Sequence, residues 1–543
     1  MTITAHVHPH LARTKLDLAR YTPRTSAATW LAVTAACLLL WTVARTLFFV
    51  GLAGSDDLYY LRFAAYWHRV PANHWEARLL GNALIAAAMR LFGRCEFAGV
   101  LPSLAASIAL LGSVLYTCRR LATWRHALAA GTLLAVLPID VELATSVTPY
   151  TVMMGFMAVG TAAFITAPDT AAARITAALT LALGVVTHYS GVYYVAALAA
   201  AALVVDRRRY FAVVGLTLAA GVATLAAELL VFHLLYHDAF IRLRINQATN
   251  HLAIPNGPLT ADNTFNPVFF YWPIAKWLFS GAFGITLFVV SAWTAWRYRR
   301  MPAWARVIAL TCGLYWLWMC YGSKVPWDYV PFWRMTRFQY PLCFGLAVLF
   351  PCLLATARTR RALALGGMAI AVNAGLLLCG PHPGENARIS RELAAYAAAH
   401  PHQRFITDYH TLNEIWAFSG LESPRNVATL NHAHWSQLAD RNAARLAPAA
   451  AARLDAALIN PLNLARTPEF AAFVDRYAGG PECSSNAHSL PNRSIIPRLR
   501  DILGSHFGPS GRVHRLRPGW APAPFPVTTA NHKTAQPHDS VFS

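Results

Sequence analysis

Directly after an apolar run ending at Val50 comes Gly51-Leu52-Ala53-Gly54-Ser55-Asp56-Asp57-Leu58-Tyr59-Tyr60. Two adjacent carboxylates at the lip of an apolar helix are costly to place unless they have a task or a partner. Carboxylates so placed can move protons or hold cations. The plain alternative is a solvated helix start, with Ser55 or Asp56 capping a helix through Tyr59 to Trp67. The same stretch continues into His74-Trp75-Glu76-Ala77-Arg78. A cationic set lies far along the chain, in Ser323-Lys324-Val325-Pro326-Trp327-Asp328-Tyr329 and Arg334-Met335-Thr336-Arg337-Phe338-Gln339-Tyr340. Guanidinium forks suit phosphate, whereas the plain alternative is membrane anchoring by snorkelling side chains beside Trp327 and Trp333. His188 stands between two apolar runs in Val186-Thr187-His188-Tyr189-Ser190-Gly191, either as a ligand contact or as an ordinary polar turn residue.

The elements that must position these residues are membrane helices. Of 543 residues, 56% are hydrophobic and 13% charged, and the mean hydropathy is +0.37. That excludes a disordered chain and argues against an ordinary soluble enzyme, which carries roughly a quarter charged residues. A hydrocarbon core needs about 20 apolar residues per helix. Charge-poor runs of about that length place eleven spans at 27-50, 97-118, 126-142, 149-167, 172-187, 189-205, 210-235, 277-297, 304-321, 336-356 and 361-380.

Threaded from a cytoplasmic N-terminus, the inner segments hold eighteen basic residues, including Arg119, Arg120, Arg125 and the Arg207-Arg208-Arg209 run. Only Asp17, Asp169 and Asp206 oppose them, whereas the outer loops are nearly balanced. The positive-inside rule therefore assigns the net charge of +21 largely to orientation and removes the need for a nucleic-acid partner. The expected layout is a cytoplasmic tail (1-26), an all-α polytopic domain (27-380) with the outer loop 51-96, and an outer domain (381-517) followed by a disordered tail (518-543). Ala77 to Phe92 reads as a helix lying in the membrane interface. In the outer domain, helical patterns at Ile389 to Ala399 and Leu412 to Phe418 alternate with strand-like Arg404 to Asp408, Asn426 to Leu430 and Ala456 to Ile459. A small α/β or α+β domain follows. Cys37, Cys118, Cys312, Cys320, Cys343 and Cys352 read as buried apolar residues, while Cys95, Cys379 and Cys483 are placed where a disulfide could form.

With the acidic pair, the interfacial helix and its Leu91-Phe92-Gly93 ending in place, the chain resembles the GT-C superfamily of membrane glycosyltransferases. That superfamily includes protein O-mannosyltransferases, lipid A aminoarabinose transferases and bacterial lipopolysaccharide-type transferases. The resemblance implies transfer of a sugar, with inversion, from a polyprenyl-phosphate carrier to an envelope glycan, lipid or protein acceptor on the periplasmic face of a bacterial inner membrane. In that reading Asp56 is the general base. Asp57 orients it, binds a divalent cation such as Mg2+ or Mn2+, or holds sugar hydroxyls. Arg337 holds the donor phosphate, aided by Lys324 and Arg334. Tyr60, His74, Arg78 and His188 are further substrate-binding candidates, and Arg242 and Arg244 could guide the carrier head group.

The relatives often carry another acid near the outer start of the fourth span, but the stretch here is Thr148-Pro149-Tyr150-Thr151, with Asp140 and Glu142 slightly upstream. Two intramembrane charges, Arg45 and Glu228, could pair with each other. The His410 to Glu414 and His432-Ala433-His434 clusters lack a zinc-type ligand set. A polytopic transporter or lipid flippase is the alternative function, although neither repeated halves nor paired broken helices are visible. A reporter fused after residue 400 should report a non-cytoplasmic location, and a cytoplasmic signal contradicts the eleven-span reading.

Overall fold

The computed structural model describes residues 26–52, 56–67, 70–71, 73–250, 267, 269–271, 274, 283–323, 332, 336–355, 359–379, 385–421, 424, 426–429, 455–464, 467, 470–472, 474, 488–489 and 512–515. Two compact units emerge, and they do not follow chain order. The first comprises Met1–Val50, Trp67–Ala88 and Ala98–Pro381; the second comprises Gly51–Tyr66, Met89–Phe97 and His382–Ser543.

The first unit is helical. Its opening helices are α1 (Ala27–Leu47), and, after the short α2 (Asp56–Ala65) of the second unit, most of α3 (Leu79–Phe92) and of α4 (Glu96–Leu121), whose facing ends belong to the second unit, then α5 (Trp124–Ala135) and α6 (Pro138–Ala144). They continue as α7 (Pro149–Thr166), α8 (Ala171–Thr187), α9 (Ser190–Tyr236) and α10 (Ile241–Asn250), then Gly284–Arg297, Ala303–Tyr321, Leu342–Ala355 and Thr359–Cys379. Hydroxyl caps set several starts: Ser26, Thr148 and Thr170 accept hydrogen bonds from the amides of Thr29, Tyr150 and Ala173. Among the described residues, five helices are long and apolar enough to cross a membrane, or six if α5 and α6 count as one bent span.

Three expected spans differ in detail. The run 126-142 is broken between α5 and α6 with a bend of 62°. Pro138 sits at the first position of α6, where its missing N–H costs nothing but where it cannot prolong α5. The runs 189-205 and 210-235 join through Asp206, whose φ of −157° and ψ of 81° interrupt α9. Its carboxylate accepts the amide of Arg209 and so restarts the helix. Small residues let α4, α7, α8 and α9 approach closely. A side chain on Gly155 would meet the Ala106 backbone at 2.9 Å, and side chains on Gly184 or Gly191 would collide with Met157.

The two intramembrane charges do not pair with one another as considered from sequence. Arg45, at the end of α1, binds Asp140 on α6, and Glu228 on α9 binds Arg242 on α10. Each helix end faces the partner that the local turn supplies, so the cost of burying the charge is met nearby. Arg45 also donates to the Ala135 carbonyl at 2.7 Å and lies over the Trp41 ring. Asp140 is fully buried and accepts from Arg45, Ser107 and Tyr340, while the Trp41 indole donates to Ser107 at 3.0 Å. One network thus ties α1, α4 and α6 to the segment that follows Arg337.

The second unit contains a five-stranded sheet of order β2-β1-β3-β5-β4. The strands are β1 (Phe405–Thr407), β2 (Val427–Thr429), β3 (Ala456–Ile459), β4 (His488–Ser489) and β5 (Arg512–Arg515). β1 runs parallel to β2 and β3, and β5 is antiparallel to β3 and β4. The parallel strands β1 and β3 are buried along their whole length, which explains their continuous apolar runs. Helices Glu385–Ala399 and Tyr409–Phe418 cover the sheet through Ile389, Leu393, Leu412 and Ile415.

Breaking the buried ion pair tests this account. Arg45→Met should leave Asp140 uncompensated and destabilise the first unit by about 3–5 kcal/mol. Arg45→Met with Asp140→Leu should recover much of that loss in thermal unfolding of the detergent-solubilised protein. A double variant as unstable as the single one contradicts the assignment.

Candidate functional site

In the first unit, a cationic cluster forms around the Tyr150 ring. Tyr150 occupies the first turn of α7, and its amide is held by the Thr148 hydroxyl at 3.3 Å. The Arg337 guanidinium carbon lies 5.5 Å from the ring centroid and that of Arg78 lies 5.7 Å from it. The His188 ring approaches the same tyrosine at 4.5 Å and Phe338 at 6.0 Å. Two guanidiniums near one aromatic ring are stabilised by its quadrupole, and their planar forks have the geometry that suits an anion. The positive end of the α7 dipole adds to the field.

Arg337 sits on the 3-10 turn Thr336–Gln339. Tyr315 donates to the Phe338 carbonyl at 2.6 Å, Gln339 donates to the Cys320 sulfur at 3.6 Å, and Tyr340 donates to Asp140. The turn is therefore fixed at the three residues that follow the guanidinium-bearing one. Glu142, two residues beyond Asp140, lies within electrostatic reach of Arg337.

His188 is buried in the turn between α8 and α9. Its Nδ1 accepts the Ser190 amide at 3.2 Å and lies 2.7 Å from the Ser190 hydroxyl. Burial, reinforced by Arg78, Arg242, Arg337 and His74, drives its pKa well below the usual histidine value. The ring is accordingly neutral, and with Nδ1 used as an acceptor its proton is on Nε2, a neutral donor. Arg242 is buried, lies 3.6 Å above the Tyr189 ring and donates to the Val186 carbonyl at 2.9 Å. It braces the same turn.

The acidic pair belongs to the second unit. Asp56 and Asp57 form the first turn of α2, where the helix dipole favours negative charge; Asp56 is half-buried and Asp57 is buried. Tyr60 is buried in the same helix. The structure thus brings Arg78, Arg337, His188 and His74 into one electrostatic cluster and gathers Asp56, Asp57 and Tyr60 on one helix. Arg244 pairs with Asp238 outside the cluster. Lys324, Arg334, His432 and His434 lie outside the described residues.

A divalent ion at Asp57 finds no ready ligand set. Among the described residues no three His, Cys, Asp or Glu side chains converge, and the Asp140 carboxylate is occupied by Arg45, Tyr340 and Ser107. No step below runs through an ion.

Glu414, by contrast, sits in a buried polar network within the second unit. It accepts from Ser390 at 2.5 Å and from Asn463 at 3.2 Å; Asn463 also reaches Thr411, which donates to Asp408 at 2.6 Å. Burial lifts the Glu414 carboxyl to about 8, with Asp408 and Asp57 adding to the rise and the bonds from Ser390 and Asn463 opposing it.

Comparison with known proteins places the fold. Residues 77–233 match the family described as Dolichyl-phosphate-mannose-protein mannosyltransferase. No curated protein sequence matches the chain. Among solved structures, ArnT from Cupriavidus metallidurans bound to undecaprenyl phosphate aligns with a TM-score of 0.51 at 13% identity, covering 92% of this chain and 100% of ArnT. Its apo form aligns at 0.49 and 15%, covering 90% and 98%. An Archaeoglobus fulgidus oligosaccharyltransferase aligns at 0.47 and 10%, covering 83% of this chain and 71% of its own. The chain therefore resembles ArnT in fold, and its match to the mannosyltransferase family covers residues 77–233.

The Glu414 network yields a signed pH dependence. Its folded pKa of about 8 stands above the ordinary value of about 4.3, so the unfolded chain loses this proton first as pH rises. Stability from this group is complete below the unfolded value and falls by at most about 1.4 kcal/mol per pH unit until the folded value is passed. Hydrogen exchange of the Tyr409–Phe418 helix should quicken more steeply between pH 5 and 8 in the native protein than in Glu414→Gln, after correction for intrinsic exchange. Parallel profiles contradict the assignment.

Proposed function

We propose that this chain, carrying the GT-C fold, is an inverting glycosyltransferase that moves a sugar from a polyprenyl-phosphate carrier to an acceptor hydroxyl of an envelope glycan, lipid or protein. The observation that carries the reading is the pair of guanidiniums, Arg78 and Arg337, over the Tyr150 ring beside neutral His188. Such a cluster suits a phosphate monoester or diester, because the planar forks donate bidentately and the neutral imidazole adds an N–H without adding charge repulsion. The undecaprenyl phosphate bound by ArnT supports a carrier of that class. A transporter or flippase is not favoured by the fold likeness.

The acceptor oxygen attacks the anomeric carbon from the face opposite the phosphate. The bond between that carbon and the phosphate oxygen breaks, and its electron pair leaves on the lipid phosphate. Asp56 takes the acceptor proton, a task worth about 10²- to 10⁴-fold in rate. Asp57 and Tyr60 share the helix that presents it. Arg337 and Arg78 stabilise the charge that develops on the departing phosphate, and His188 donates to it. Lys324 and Arg334 are further candidates for phosphate contact. The eleven-span arrangement and periplasmic outer domain complete the proposal, with the reaction on the face opposite the Arg-rich loops.

Transfer of labelled sugar from polyprenyl phosphate, measured in membranes with matched protein levels, tests it. Asp56→Asn should lower the rate by at least about 100-fold, and Arg337→Ala should lower it comparably with Arg337→Lys only partly restoring it. Wild-type transfer by Asp56→Asn removes the proposed base. Solute or lipid movement by purified protein in vesicles, without sugar transfer, replaces the enzyme reading with a transporter.

A further inference from the structure

The segment bearing the acidic pair is built into the unit that contains the C-terminal sheet. At its entrance, the Leu52 amide donates to Glu96 at 2.9 Å, and Arg391 of helix Glu385–Ala399 donates to the same carboxylate oxygen at 2.5 Å. Gly51 has a φ of +71°, and a side chain there would collide with the Glu96 carboxylate and come within 3.1 Å of the Arg391 guanidinium. At its exit, Tyr66 donates to the Leu421 carbonyl at 3.4 Å while Arg94 lies over the Tyr66 ring at 5.5 Å. Between these ends α2 packs on helix Tyr409–Phe418. The buried Glu414 of that helix is bonded by Ser390 and Asn463, which ties the helix Tyr409–Phe418 to its neighbours, while the nearby like charge of Asp57 adds to the rise that burial gives the Glu414 pKa. Ser390 and Arg391 are consecutive, one reaching Glu414 and the other Glu96.

We propose that the C-terminal domain is the scaffold of the catalytic carboxylate, with Arg391 bracing the entrance to α2 and Glu414, through Ser390 and Asn463, fixing the helix on which α2 packs, so that both act as positioning residues for Asp56. The inference rests on the reading of Asp56 as the base. It assigns the domain a task in catalysis through geometry, with no requirement that it touch donor or acceptor. Two fixed ends and a packed middle restrict α2 to one placement, and α2 is only 10 residues long. A helix of that length has little stability of its own, so its position is set by what it packs against. Arg391 and Glu96 are partly exposed, which makes their pair a geometric restraint more than a source of stability.

The experiment uses the full chain. Arg391→Ala and Glu414→Ala should each lower kcat by about tenfold or more while leaving the donor KM unchanged, the signature of a misplaced base. Arg391→Lys and Glu414→Gln, which keep hydrogen-bonding capacity, should recover most of the rate. Hydrogen exchange, read without any activity, should quicken across Asp56–Ala65 in the alanine variants while β1 and β3 stay protected. Unchanged kcat and unchanged α2 exchange overturn the inference. Equal loss of protection from β1 and β3 also overturns it, by assigning both residues to folding alone. Asp56→Asn, run in parallel, separates the two readings: full activity there removes the base, whereas α2 exchange still decides whether the domain holds the helix.

Discussion

Burying Arg45 and Asp140 together is the constraint on which the membrane unit depends. Either charge alone in that interior costs several kcal/mol, so the two must meet, and meeting fixes the end of α1 against the start of α6. Ser107 brings in α4, and Tyr340 brings in the turn that carries Arg337. The bend at Pro138 is what turns Asp140 toward these partners, and α6 continues from it to Glu142 beside Arg337. A chain of buried hydrogen bonds thus runs from the first helix to Tyr340, in the segment that follows Arg337. Apolar substitution could pack the same space, but it would leave the orientation of that turn unspecified.

The division of chemical labour follows the two units. Cations converge in the helical unit, where Tyr150, Arg78, Arg337 and His188 come from four separate stretches of chain. Carboxylates gather in the unit that contains the sheet, where α2 is braced at both ends. Phosphate recognition and proton removal make opposite electrostatic demands. A field that suits a phosphate lowers the basicity of a carboxylate placed within it.

Much of this was legible in the sequence because it is local. Apolar run length and the Arg clusters marked the helices, and the buried parallel strands β1 and β3 fell on continuous apolar runs. Arg337 and Arg78 stood out as cations at the starts of apolar runs. What the sequence could not convey was partnership across long separations. Arg45 and Glu228 are of opposite sign and suggested each other, yet each is met by a residue whose proximity depends on a helix break or turn. Tyr150 drew notice only as a residue standing where relatives carry an acid, because an aromatic after a proline carries no sign that two arginines will share its ring. Arg391 and Glu414 sit in ordinary amphipathic helices, and nothing in their spacing points to a loop some 300 residues earlier.

The central claim is that Arg78 and Arg337 together form a lipid-phosphate site. Its most direct measurement is the phosphorus resonance of undecaprenyl phosphate titrated with purified protein in micelles, comparing the native chain with Arg78→Ala/Arg337→Ala. The account predicts a saturable shift and broadening with the native protein that are abolished in the double variant. A double variant that perturbs the resonance as the native protein does would contradict it.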